Sequence, residues 1–193
     1  MSIIAAADQL LPHVVRVETP EQRNDLADLV AEYTITWSGN QSDALSSRDD
    51  QLIEAIRSDE VPNLIAGFVT YVGDVPVGSV LLRRFPQLVA AVEVDKLFVL
   101  PEYRRRGAST LLLETAHNYA ISSGRYSMFY LFVRSSRHAA LNLYEKLGYT
   151  VYHRFPRDGF TEMILPINGF ESMSNDILAG WAPPSLLDDQ HSI

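Results

Sequence analysis

The chain has 193 residues, 47% apolar and 21% charged, a composition that suits one globular domain able to bury roughly 70% of its unfolded surface. It has no cysteine, which excludes disulfides, thiolate nucleophiles and cysteine-ligated metals. Its 16 basic against 24 acidic residues, a net charge of −8, argue against nucleic acid as a partner, and no apolar run approaches the roughly 20 residues that span a bilayer.

Near the N-terminus the apolar stretch from Ile3 to Ala7 lacks the basic leader and the length of a signal peptide, so a cytoplasmic address is expected. Residues 13–19 read as a short strand. Pro20 and Glu21 then open a helix that carries Leu26, Leu29, Val30 and Tyr33 at helical spacing. A polar loop at 38–42 leads to a second helix over 46–57, with Leu52, Ile53 and Ile56 on its apolar side. Residues 63–72 and 75–84 form an antiparallel pair around the hairpin signal Gly73-Asp74, and 90–99 is a third strong strand. After a polar turn at 101–106 comes a helix over 108–122, then a strand at 126–133. A helix over 137–147 ends at Gly148, and strands at 149–155 and 160–167 make a closing hairpin.

This order predicts an α/β or α+β layered fold: a mixed, mostly antiparallel sheet of about seven strands flanked by helices. Residues 1–167 form the expected domain, and 168–193, with Gly169, Gly180 and Pro183-Pro184, the expected tail or docking arm.

The first feature with chemistry in it is Arg104-Arg105-Arg106-Gly107-Ala108-Ser109, basic in an acidic chain and placed between a strand and a helix. Small residues let backbone approach a ligand, and free amides at a helix start favour an anion such as pyrophosphate. The spacing fits neither a Walker loop nor a dinucleotide fingerprint, and an Arg-rich surface turn is the plain alternative.

Arg104-x-x-Gly107-x-Ser109 resembles the phosphate loop Q/R-x-x-G-x-G/A of the GNAT superfamily of acyl-CoA-dependent N-acetyltransferases, with serine in place of the last small residue. Two further blocks carry the resemblance. Upstream, Glu93-Val94-Asp95-Lys96-Leu97-Phe98-Val99-x-Pro101 resembles that family's fourth strand. Downstream, Ala140-x-x-Leu143-Tyr144-Glu145-Lys146-Leu147-Gly148-Tyr149 resembles its A-x-x-L-Y-E-K-x-G-F/Y segment. The match covers 92–149 well and 63–91 by strand pattern only.

The resemblance implies acetyl-CoA as co-substrate, wedged between two splayed strands. The stretch Leu97, Phe98 and Val99 would meet the pantetheine arm, with Leu97 and Val99 offering backbone groups, and Arg104, Arg105, Arg106, Gly107, Ala108 and Ser109 would hold the pyrophosphate. An asparagine that many members carry seven residues before the tyrosine is Arg137 here, which would instead meet a phosphate. Glu93 is the implied general base, acting through water, with Asp95 as an alternative. It shares strand parity with Asp95, Leu97 and Val99, which puts all four on one side. Tyr144 is the implied general acid, its plain alternative being a core tyrosine.

His117 and His138 lack metal-ligand spacing and read as packing or surface residues, so no metal is expected; Ser135-Ser136 reads as the cap of the following helix. The expected acceptor is a small-molecule or peptide amine, contacted by residues 33–62 and 153–161, and a homodimer is compatible with this reading. A non-catalytic acyl-CoA-binding module on the same fold is the competing function.

Overall fold

A computed structural model describes residues 11–38, 47–85 and 88–167; the Ile3 to Ala7 stretch, most of the expected 38–42 loop and the expected 168–193 tail lie outside the described residues. After strand β1 (His13–Arg16), Thr19 and Gln22 form a capping box. The Gln22 amide donates to Thr19 Oγ1 at 3.3 Å, while Gln22 Oε1 accepts from the Thr19 amide at 3.1 Å. Helix α1 (Pro20–Ser38) follows, then α2 (Ser47–Ser58), β2 (Leu64–Val72), β3 (Val75–Phe85) and β4 (Leu88–Val99). A short 3₁₀ turn at Pro101–Tyr103 leads to α3 (Ala108–Ser122), β5 (Met128–Arg134), α4 (His138–Lys146), β6 (Thr150–Phe155) and β7 (Phe160–Pro166).

The seven strands make one sheet in the order β1-β2-β3-β4-β5-β7-β6, every neighbouring pair antiparallel except β4 with β5. Strand alternation sends Phe68, Val80, Leu82, Val92, Val94, Phe129 and Leu131 to one face, where Leu112, Leu113 and Ala116 of α3 and Leu141 and Tyr144 of α4 cover them. On the other face Leu26, Leu29 and Val30 of α1 and Ile56 of α2 pack against Val69, Leu81 and Phe98. Beside that second layer, Phe85, Ala91, Met128, Tyr130 and Ile164 form a smaller cluster.

Two features of β4 position the site. Its parallel pairing with β5 lasts only from Ala91–Met128 through Val92–Phe129 to Glu93–Tyr130, after which β5 stays paired with β7, β4 stays paired with β3, and the two strands part. β4 also bulges: Ser79 pairs with Phe98 and Leu81 with Asp95, so Lys96 and Leu97 together oppose Val80, and Lys96 takes a left-handed φ of 53°. The bulge overturns the expected parity. Asp95 reaches Arg83 on the face of Leu81 and Phe98, whereas Leu97 packs into the α3 layer with Val92 and Val94.

The helix-cap expectation is corrected as well. The residue before α4 is Arg137, with no side-chain cap, because the Ser135 hydroxyl is bonded to Thr161 Oγ1 at 2.8 Å across the closing hairpin.

Candidate active site

Beyond the Glu93–Tyr130 pair, the gap between β4 and β5 opens into a cleft of about 970 Å³. Because the sheet is split there, groups from both of its faces line one space: Asp95 and Lys96 of β4, Tyr33 and Trp37 of α1, and Arg137, Leu143 and Tyr144 from α4 and its approach.

At the far end of β4 the chain turns through Arg105 at φ 60° and Gly107 at φ 84° before entering α3. A side chain at Gly107 would be strained by that φ, yet a Cβ built there meets nothing within 4 Å, so the backbone faces open space. Gly107, Ala108, Ser109 and Arg105 all line the cleft. These small residues at a helix start fit a pyrophosphate group. The three arginines divide. Arg104 turns back on its own strand, its Nε donating to the Val99 carbonyl at 2.8 Å with its guanidinium near the Phe98 and Trp37 rings. Arg105 lines the cleft, and Arg106 lies over the Tyr103 ring.

Arg137 reaches across to α1. Its guanidinium sits 3.8 Å from the centre of the Trp37 ring, and Nη1 donates to the Tyr33 hydroxyl at 3.2 Å. The pair of aromatic residues four apart on one face of α1 makes this bridge, a feature that the sequence reading passed over.

Tyr144 is held by the end of its own helix. Gly148 in a left-handed conformation lets its amide bond to the Glu145 carbonyl and the Tyr149 amide to the Tyr144 carbonyl, each at 3.0 Å, and the Tyr144 and Tyr149 rings meet edge to face at 5.6 Å. Tyr149 in turn shares a 2.8 Å hydrogen bond with His117 Nε2 inside the core. The Tyr144 side chain is buried, and burial pushes its phenol well above the usual value, so it stays protonated.

Glu93 does not line the cleft; it stands at the apex of the split, in the last residue pair joining β4 to β5. Burial, reinforced by the Asp95 carboxylate, pushes its carboxyl up to about 7 against the opposing pull of Arg83 and of a hydrogen bond with Tyr130. Asp95 is otherwise engaged: Oδ2 takes Arg83 Nη1 at 3.2 Å and Oδ1 accepts the Lys96 amide at 2.7 Å. Lys96 Nζ pairs with Asp49 of α2 at 3.0 Å and lies over the Tyr33 ring, tying both helices to the bulge.

Tyr130 and Glu162 were not singled out in the sequence. Glu162 is fully buried on β7, neither oxygen has a hydrogen-bond partner among the described residues, and burial pushes it up to about 7. A carboxylate at the head of the apolar run Met163-Ile164-Leu165 was the available signal.

The comparisons fit this geometry. A profile described as the acetyltransferase (GNAT) family matches residues 26–149. An N-alpha-acetyltransferase of Saccharolobus solfataricus is 34% identical over 94 residues, 44% of this chain and 56% of that protein, so the chain spans about half the length of this curated relative. Among solved structures, yncA of Salmonella typhimurium with its cofactor acetyl-CoA superposes with a TM-score of 0.65 at 18% identity, over 82% of this chain and 95% of that one. The paia N-acetyltransferase of Thermoplasma acidophilum in complex with coenzyme A gives 0.62 at 15%, over 82% and 100%. With the split sheet, the glycine turn and a match over more than half its length, the chain belongs to the acetyltransferase (GNAT) family.

Proposed function

We propose that this protein is an N-acetyltransferase that moves an acetyl group from acetyl-CoA to an amine by direct attack, with Glu93 as base and Tyr144 as acid. The observation that carries the reading is the split between β4 and β5, with a glycine turn at its mouth, Tyr144 on its wall and Glu93 at its apex. The backbone of Gly107, Ala108 and Ser109, with Arg105, would hold the pyrophosphate, and the Leu97, Phe98 and Val99 backbone would meet the pantetheine arm. Arg104 fixes the loop to β4, and Arg137 meets coenzyme A after leaving Trp37. Acetyl-CoA, when bound, supplies a thioester whose acetyl carbon forms a bond to the amine nitrogen as its bond to sulfur breaks.

Glu93, at the apex and off the cleft wall, takes a proton from the ammonium through water, and a carboxyl raised toward neutrality by burial is matched to that task. Asp95 is the weaker choice of base, because Arg83 and the Lys96 amide already occupy its oxygens. Tyr144, kept protonated by burial, gives a proton to the sulfur of the departing coenzyme A, and the second proton shed by the nitrogen as it becomes an amide restores the phenol. The relative named above points to peptide α-amines as the first acceptors to try.

The test is acetyl-CoA-dependent turnover across peptide α-amines, polyamines and amino sugars. Acetylated product in at least one class is expected, and acetyl-CoA binding with no product from any class would replace this reading with a non-catalytic acyl-CoA-binding module.

A further inference from the structure

Arg137 has two claims on one guanidinium. In the structure α1 holds it: the centre of the Trp37 ring lies 3.8 Å from its Cζ, and the Tyr33 hydroxyl accepts from Nη1 at 3.2 Å. These two rings, one helical turn apart, also receive Lys96, with Nζ 5.1 Å from the centre of Tyr33, and Arg104, with Cζ 5.8 Å from the centre of Trp37. All five residues line the cleft.

Lys96 and Arg104 are fixed where they stand. Lys96 Nζ is paired with Asp49 at 3.0 Å, and Arg104 Nε donates to the Val99 carbonyl at 2.8 Å. Arg137 differs. Its backbone is pinned at the start of α4, the amide donating to the Arg134 carbonyl at 2.9 Å and the carbonyl accepting from the Leu141 amide at 3.1 Å. Its side chain is held by ring faces and one hydrogen bond, and its buried Nε has no hydrogen-bond partner among the described residues. A buried donor left unused is unfavourable, and Nε is one of the donors with which a guanidinium grips a phosphate in two-point fashion. Rotation about side-chain bonds alone takes Arg137 off the rings, with the backbone left in place.

We propose that Trp37 is an autoinhibitory contact: by stacking on Arg137 it withholds from coenzyme A the guanidinium that would meet its phosphate. The inference rests on the acetyltransferase reading for the identity of that anion. Because the stack and the phosphate compete for one group, the apparent affinity is reduced by the fraction of molecules in which Arg137 is free. Removal of Trp37 should therefore tighten binding. Loss of a cleft wall that touched the ligand would do the opposite.

The experiment measures coenzyme A binding to the full chain by calorimetry. Trp37, 39% exposed, makes a partly solvated stack, so Trp37→Leu should bind about two- to fivefold more tightly. Trp37→Phe, which keeps a smaller ring, should change affinity less and in the same direction, and it stands in if Trp37→Leu folds poorly. In an Arg137→Ala background either replacement should leave affinity nearly unaltered, since no guanidinium remains to be withheld. A further arm keeps the native residue: the chain has two tryptophans, so Trp181→Phe makes Trp37 the sole emitter. Saturating coenzyme A should change its fluorescence as the guanidinium leaves, and far less when Arg137→Ala is added.

Unchanged or weaker binding in the folded Trp37 variants, a gain that survives in Arg137→Ala, or an equal fluorescence change with and without Arg137 overturns the inference and leaves the acetyltransferase reading standing. Coenzyme A that binds neither the native chain nor any variant overturns both.

Discussion

Glu93 and His117 are buried titratable groups with opposite consequences for pH. Glu93 is raised from 4.5 to about 7, so activity that needs its ionised form should climb as pH rises through about 7. Glu93→Gln should lose about 10²–10⁴ in rate near pH 7 and recover part of it near pH 9, where free amine is about a hundredfold more abundant; a flat, near-normal profile would remove the residue from the chemistry. His117 is lowered from 6.5 to about 4 by burial, so its folded form binds fewer protons than the unfolded chain between those values. Its contribution is complete above about 6.5 and is lost as pH falls toward about 4, a span worth about 3 kcal/mol. Subtracting the denaturation profile of a folded His117→Asn variant from that of the native chain should expose that slope, and parallel profiles would refute it. At this scale identity alone made Glu93 and Tyr144 candidates, and the structure puts the first at the apex of the split and the second on the wall of the cleft. The sequence was silent where environment creates the property, as for the buried Glu162 and for His117, whose partner Tyr149 lies 32 positions away.

The turn between β4 and α3 depends on backbone geometry that few residues can adopt. Gly107→Val would place a β-branched side chain at φ 84°, in the space facing the cleft, and should abolish most acetyl-CoA binding in a variant that still folds. Unchanged affinity measured by calorimetry would show that the loop does not hold the pyrophosphate. Arg137 joins the start of α4 to α1 through Trp37 and Tyr33, so Arg137→Ala should raise the KM for acetyl-CoA severalfold, more at low salt than at high if phosphate charge is what it meets. Equal KM values at both salts would confine Arg137 to packing. Strands, helices and their order were readable because periodicity is local: α1, α3 and the hairpin of β2 and β3 stand where the pattern put them. The bulge at Lys96 was not, since an extra residue in one strand leaves no mark until the register with β3 is known, and it reversed the side assigned to Leu97. Ser135 failed as a cap for a similar reason, its hydroxyl being claimed by Thr161 from a distant hairpin.

Across the whole molecule, the parts of the sheet on either side of the split meet at three residue pairs, and acetyl-CoA bound in the cleft should tie them together. At a concentration about a hundred times its dissociation constant, a ligand adds about 2.7 kcal/mol to stability, which for a chain of this size corresponds to a rise of roughly 5–10 °C in Tm. No rise with acetyl-CoA under saturating conditions would exclude the cleft as its site. The mixed sheet was legible from the alternation of strands and helices, but the split was not, because nothing along β4 alone records where β5 stops accompanying it. That parting also gives the unliganded protein a sheet margin in the middle of the molecule. From Val94 onward no strand among the described residues pairs with β4 on its β5 side, and backbone groups turned that way resemble those of a border strand, open to capture by an extended segment of another chain. Coenzyme depletion should therefore favour self-association, visible as growing light scattering on storage and as rapid amide exchange along that margin, both suppressed when acetyl-CoA is restored.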